Sequence, residues 1–174
     1  MIWLKSVGIV LIVAGCGAWG LFAARSLERR ADQLRELRVS LGFLEKEITF
    51  MFTPLSRALE KTAVFCQGPV ASLFSESSRV LQLRQGVTVD EAWSAGLNYL
   101  QICSDLAKAD ILLLQSAAGQ LGMSDAAEQK KLFQLLQEQL HFQEERARAD
   151  IDSGKRVRAY GGFIMGAVVV LLLL

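Results

Sequence analysis

Leu34-Arg35-Glu36-Leu37-Arg38-Val39-Ser40-Leu41-Gly42-Phe43-Leu44-Glu45-Lys46-Glu47-Ile48-Thr49-Phe50-Met51 is the stretch that decides the fold. Its apolar residues Leu34, Leu37, Leu41, Leu44, Ile48 and Met51 fall three and four apart, the spacing of a helix with one seam to bury. Strand-like alternation is nearly absent from the chain and only 2 prolines punctuate it, so helix is the default elsewhere as well. The expectation is an all-α fold, an antiparallel helical bundle of about six helices.

Working outward from that seam, Thr53-Pro54 is the first stop. Thr53 is expected to cap a second helix and Pro54 to occupy its first position, where its missing amide costs nothing. The second helix runs to Cys66, and Gln67-Gly68-Pro69 stops it and restarts a third over about 70–84. Thr88 and Glu91 form a capping box in which the hydroxyl and the carboxylate satisfy each other's amides, opening a fourth helix through Ile102. Ser104 is expected to cap a fifth helix ending at Leu121-Gly122, and Ser124 the last.

The last helix carries Leu132, Phe133, Leu136, Leu140, Ala147 and Ile151 and runs on without a break. The first and last helices are therefore the long ones, antiparallel to each other. That register sets Arg29, Arg30, Arg35 and Arg38 within reach of Glu144, Glu145, Asp150 and Asp152, as exposed pairs of about 0 to 1 kcal/mol each.

Both ends of the chain read as membrane segments. Residues 6–24 are uncharged, close to the roughly 20 residues that a helix needs to cross a bilayer, and Trp3 and Trp19 suit the two interfaces. Residues 159–174 are uncharged over about 24 Å of helix at 1.5 Å per residue, short for a span but within reach if Arg156 and Arg158 snorkel. Arg25, Arg29, Arg30, Arg35 and Arg38 follow the first segment, and Lys155, Arg156 and Arg158 precede the second. The positive-inside rule therefore puts the intervening stretch in the cytoplasm. The expected domains are an N-terminal transmembrane helix at 1–24, a cytoplasmic helical body at 25–158 and a C-terminal transmembrane helix at 159–174. The competing signal is Val13-Ala14-Gly15-Cys16, which resembles a lipoprotein cleavage site and would make the chain a lipid-anchored extracytoplasmic binding protein.

Composition narrows the function. The chain of 174 residues has 19 Lys plus Arg against 18 Asp plus Glu, a net charge of +1 that draws in no nucleic acid. Cys16, Cys66 and Cys103 are widely spaced and His141 is the sole histidine, so neither a zinc site nor a disulfide framework is indicated. No phosphate-binding glycine loop, nucleophile elbow or paired histidines occur, which disfavours an enzyme and a cofactor. Glu45 and Glu47 lie two apart on a helix and point away from each other. They read first as a solvated face and second as acids that dock a basic partner.

Leu44-Glu45-Lys46-Glu47-Ile48, Thr53-Pro54-Leu55, Pro69 with Leu73 and Phe74, Leu121-Gly122-Met123-Ser124-Asp125 and Gln129, in this order and after an arginine-flanked N-terminal span, closely resemble the family of stage III sporulation protein AB of endospore-forming bacteria. The resemblance covers nearly the whole chain. It implies a non-enzymatic subunit of the channel complex that links mother cell and forespore, in the mother-cell membrane, with a soluble domain similar to that of type II secretion F platforms. It also implies other subunits of that complex and a cytoplasmic secretion-type ATPase as partners, with a homo-oligomer open as well. Fold-level analogy carries the ATPase only as an expectation. Phe50-Met51-Phe52, before Thr53, departs from the more polar family pattern and reads either as an apolar partner surface or as core.

Overall fold

The computed structural model describes residues 2–83, 86–118, 121 and 126–173, with side-chain environments given for 25–83, 86–118, 121, 128–152 and 154. Among the described residues there are six helices and no strand: α1 (Ile2–Thr49), α2 (Leu55–Phe65), α3 (Gly68–Leu83), α4 (Val89–Cys103), α5 (Lys108–Ser116) and α6 (Ala126–Leu173). This is the all-α bundle with long first and last helices that periodicity implies. Contacts divide the chain into two compact units, one of residues 1–29 with 146–174 and one of residues 30–145.

In the second unit, Leu34, Leu37, Leu41 and Leu44 are fully buried, so the seam of α1 faces the core. Leu59, Leu73, Phe74, Trp93, Leu97, Leu100, Leu114, Phe133 and Leu140 are buried with it. Two bonds set the direction of α6 against α1. Arg38 Nε meets Glu144 Oε2 at 3.1 Å, and Gln137 Nε2 donates to Glu45 Oε2 at 2.8 Å. Numbers rise along α1 as they fall along α6, so the two helices run antiparallel there.

The expected register holds for Arg38, although its partner Glu144 is buried where an exposed pair is expected. Arg30 turns to α5, where its guanidinium makes two bonds to the Asp110 carboxylate, at 2.8 and 3.1 Å. Asp110 is fully buried, and a carboxylate removed from water needs a close cation. Asp110 also accepts the Ala107 amide at 2.8 Å and so caps the start of α5. This displaces Ser104 from its expected cap: Ser104 ends α4 instead, its buried hydroxyl without a hydrogen-bond partner among the described residues.

Two glycines are tied to the architecture. Gly68 opens α3 at φ +57, in the left-handed region where a side chain is strained. Gly96 lies where α4 crosses α3: an added Cβ would sit 2.5 Å from the Leu73 carbonyl oxygen and closer still to Ser77 Oγ. A backbone oxygen inside a helix cannot retreat as a flexible side chain can. Gly96→Ala is expected to destabilise by about 1–3 kcal/mol, the range for overpacking, read as a lowered denaturation midpoint at unchanged slope.

The Thr88–Glu91 box forms in full. Glu91 N–H donates to Thr88 Oγ1 at 3.2 Å and Thr88 N–H to Glu91 Oε2 at 3.1 Å. Gln129 Nε2 donates to the Leu121 carbonyl at 3.0 Å, tying the first turns of α6 to the segment that follows α5. The Ser124 cap lies outside the described residues. Among those residues no helix is long and apolar enough to cross a membrane. The expected spans at 1–24 and 159–174 fall where side chains lie outside the described residues, as does the Val13–Cys16 motif.

Candidate interaction site

The motif Leu44-Glu45-Lys46-Glu47-Ile48 closes α1, and the backbone turn that ends the helix positions the surface beyond it. Helix geometry ends at Thr49. The Phe50 and Met51 amides both reach the Lys46 carbonyl, at 3.0 and 3.1 Å, and the Thr53 amide reaches back six residues to the Glu47 carbonyl at 2.9 Å. These widened turns satisfy carbonyls that a helix end leaves over. They also force Phe52 to φ +51, a left-handed conformation that is an outlier for an aromatic residue.

Glu47 braces this turn. Its Oε2 accepts from Thr53 Oγ1 at 2.8 Å and from Lys61 Nζ, on α2, at 2.7 Å. The bond from Lys61, and then that from Thr53, holds the Glu47 carboxyl below the usual range. The support it gives is present above the ordinary carboxylate pKa near 4.5 and is lost as pH falls through the lowered folded value. Thr53 is thereby corrected as a cap. Its hydroxyl is drawn back to Glu47, and Pro54, at φ −53 and ψ 139, takes the N-cap place instead of the first helical position, with no side-chain cap bond. Glu45 accepts from Gln137 on α6. The two acids therefore face different neighbours, as a spacing of two on a helix requires, and both are engaged within the bundle.

What the brace holds outward is apolar. Phe50, Met51 and Phe52 are 64%, 69% and 80% exposed. The alternative that they are core is overturned, because α1 stops before the seam can carry Met51 inward. Lys46, four residues before Phe50, and Arg57, five residues after Phe52, are both exposed. Behind it, Phe43 stacks on Phe65 with ring centroids 4.7 Å apart, and the Cys66 thiol donates to Ser40 Oγ at 2.8 Å.

Burial pushes the Cys66 thiol up to about 11, against a smaller opposing pull from the Ser40 bond. The thiol therefore loses about 100-fold in thiolate at neutral pH relative to an ordinary thiol near 9. In a Cys16→Ser background, exposed Cys103 is expected to react first with a thiol reagent at pH 8, and Cys66 only on unfolding. The neutral Cys66 thiol contributes stability that is intact below about 9 and is lost as pH rises toward 11, a decline that Cys66→Ala removes.

Elsewhere in this unit, an open groove of about 690 Å³ lies between α5 and α6, lined by Leu112, Leu113, Leu135 and Phe142, with Glu138 in its wall. His141 Nε2 lies 3.5 Å from Glu145 on the surface of α6. Among the described residues no three His, Cys, Asp or Glu side chains gather as a metal site would require. The exposure of Phe50–Phe52 is not evident from spacing, because the same residues would satisfy the seam one turn further on. The signal against this was Thr53-Pro54 immediately after.

A six-helix body with no strand among its described residues, long first and last helices and a braced apolar turn defines an all-α helical-bundle protein. The chain belongs to the stage III sporulation protein AB family, whose model matches residues 5–174. It is 32% identical over 173 residues to stage III sporulation protein AB of Bacillus subtilis (strain 168), covering 98% of this chain and 99% of that one. A solved structure, of stage III sporulation protein AB (SpoIIIAB), superposes with a TM-score of 0.66 at 30% identity, over 71% of this chain and 96% of its own. The resemblance noted in the sequence is thus confirmed, and with it a role in sporulation.

Proposed function

We propose that the chain is a non-enzymatic platform subunit of the sporulation channel complex linking mother cell and forespore. Membrane segments at 1–24 and 159–174 hold it in the mother-cell membrane, and the helical body faces the cytoplasm. There it couples a secretion-type ATPase to the membrane channel and its other subunits. The observation that carries this reading is the extent of the family match, which takes in both uncharged ends together with the bundle between them. The arginines that follow residue 24 and precede residue 159 support the orientation.

Glu47 belongs to the partner site in this reading through the turn it holds, and Glu45 stands beside it, bonded to Gln137 on α6. Glu47 fixes Thr53 and Lys61 around Phe50–Phe52, so exchanging its charge releases that segment. The test is co-purification of the detergent-solubilised full chain with the purified secretion-type ATPase of the same complex. The reading expects a stable complex, weakened by Glu45→Lys with Glu47→Lys. Absence of any complex with the unaltered chain would remove the ATPase from the function.

A further inference from the structure

The geometry points to Phe50-Met51-Phe52 as a docking knob for a protein partner whose surface offers an apolar cleft rimmed by carboxylates. This rests on the platform reading, which makes that partner the secretion-type ATPase. Three observations carry it. Three consecutive large apolar side chains stand 64–80% exposed at one turn, where single exposed apolar residues are the ordinary case. The turn is fixed by five hydrogen bonds, from the Phe50, Met51 and Thr53 amides, the Thr53 hydroxyl and the Lys61 ammonium. These bonds impose on Phe52 a left-handed φ of 51 that the residue does not favour.

The third observation is charge. Exposed Lys46 and Arg57 flank the knob in the last turn of α1 and the first turn of α2. The carboxylate nearest in sequence, Glu47, is 12% exposed and neutralised by Lys61. Glu60 lies further along α2, where it accepts from Gln82 at 3.4 Å. The knob is thus apolar with exposed basic residues on both sides in sequence, the complement of an acid-rimmed apolar cleft.

Preorganisation separates a protein cleft from a lipid surface. Aromatic anchors held rigidly in one shape gain from a fitted pocket, since no ordering cost remains to be met on binding. A bilayer imposes no shape and would accept the same residues on a relaxed turn, so the strain at Phe52 would serve nothing there.

The experiment uses the full chain in detergent, with Cys16, Cys66 and Cys103 replaced and Met51→Cys introduced, and measures labelling by a soluble thiol reagent. Purified secretion-type ATPase is expected to slow labelling at this position by about tenfold or more, while exposed Gln134→Cys on α6 is unaffected. In the otherwise unaltered chain, Phe52→Asn, which tolerates a left-handed φ, is expected to fold normally and to lower ATPase affinity on the order of 30-fold, as loss of an anchor does. An ATPase that binds the chain yet leaves Met51→Cys labelling and Phe52→Asn affinity unchanged would overturn the knob and leave the platform reading standing. Failure of the unaltered chain to bind the ATPase would overturn the knob and remove the ATPase from the platform reading. Slowing by vesicles of phosphatidylglycerol and phosphatidylcholine, without effect of the ATPase, would assign the turn to a lipid surface instead.

Discussion

Asp110→Ala is expected to destabilise the bundle by about 3–5 kcal/mol, the cost of leaving one partner of a buried ion pair behind. Asp110 is fully buried, and its carboxylate does two things at once. It takes both bonds from Arg30 on α1, and it accepts the Ala107 amide that opens α5. Its loss leaves a largely buried guanidinium without that carboxylate and a helix start without its cap. Arg30→Ala is expected to cost a comparable amount, because it strands the carboxylate. Replacing both together, as Arg30→Met with Asp110→Leu, is expected to recover most of the loss, since well-packed apolar residues often match a buried pair. Thermal or urea unfolding of the unaltered chain, the two alanine variants and the double variant compares all four. Two single losses that simply add, with no recovery in the double variant, would show that the pair does not act as a unit.

Trp93→Ala carries the second large effect, also about 3–5 kcal/mol. The indole, in the second turn of α4, is 1% exposed, meets the Phe74 ring of α3 edge-on at 6.0 Å between centroids, and donates its Nε1–H to the Leu114 carbonyl of α5 at 2.9 Å. One side chain therefore joins three helices, and alanine leaves a cavity that the close crossing at Gly96 prevents from collapsing. Trp93→Phe is expected to cost less, because it keeps most of the apolar contact and loses the hydrogen bond. Equal destabilisation by alanine and phenylalanine would instead make that bond the dominant contribution.

Much of this architecture is legible in the chain alone. The seam of Leu34, Leu37, Leu41 and Leu44 announces a core helix because apolar spacing reports directly on which face leaves water. The Thr88–Glu91 box is legible because both of its bonds are local in sequence. The hidden features depend on partners far along the chain. Nothing near Arg30 indicates that α5 supplies it a carboxylate, because a salt bridge across 80 residues results from packing and not from local pattern. The site at the end of α1 is half legible. Glu45, Glu47, Thr53 and Phe50–Phe52 all stand out, but a cap, a docking face and a core turn compete for them. The outcome rests on where α1 ends, and a helix terminus is set by which carbonyls the next turn can satisfy. Once Thr53 turns back to Glu47, that acid becomes the brace and the apolar residues become the surface.

The central claim, a membrane-held platform whose body faces the cytoplasm, is tested most directly by topology in intact cells. Single cysteines at exposed Ser75 and Gln134, in a chain otherwise free of cysteine, are treated with a membrane-impermeant thiol reagent before and after the cells are opened. The account predicts protection at both positions until the cells are opened, and labelling afterwards. Labelling in intact cells would contradict it, place the body outside the cytoplasm, return the Val13–Cys16 motif to consideration as a lipid anchor, and rule out a cytoplasmic ATPase as the partner of the braced turn.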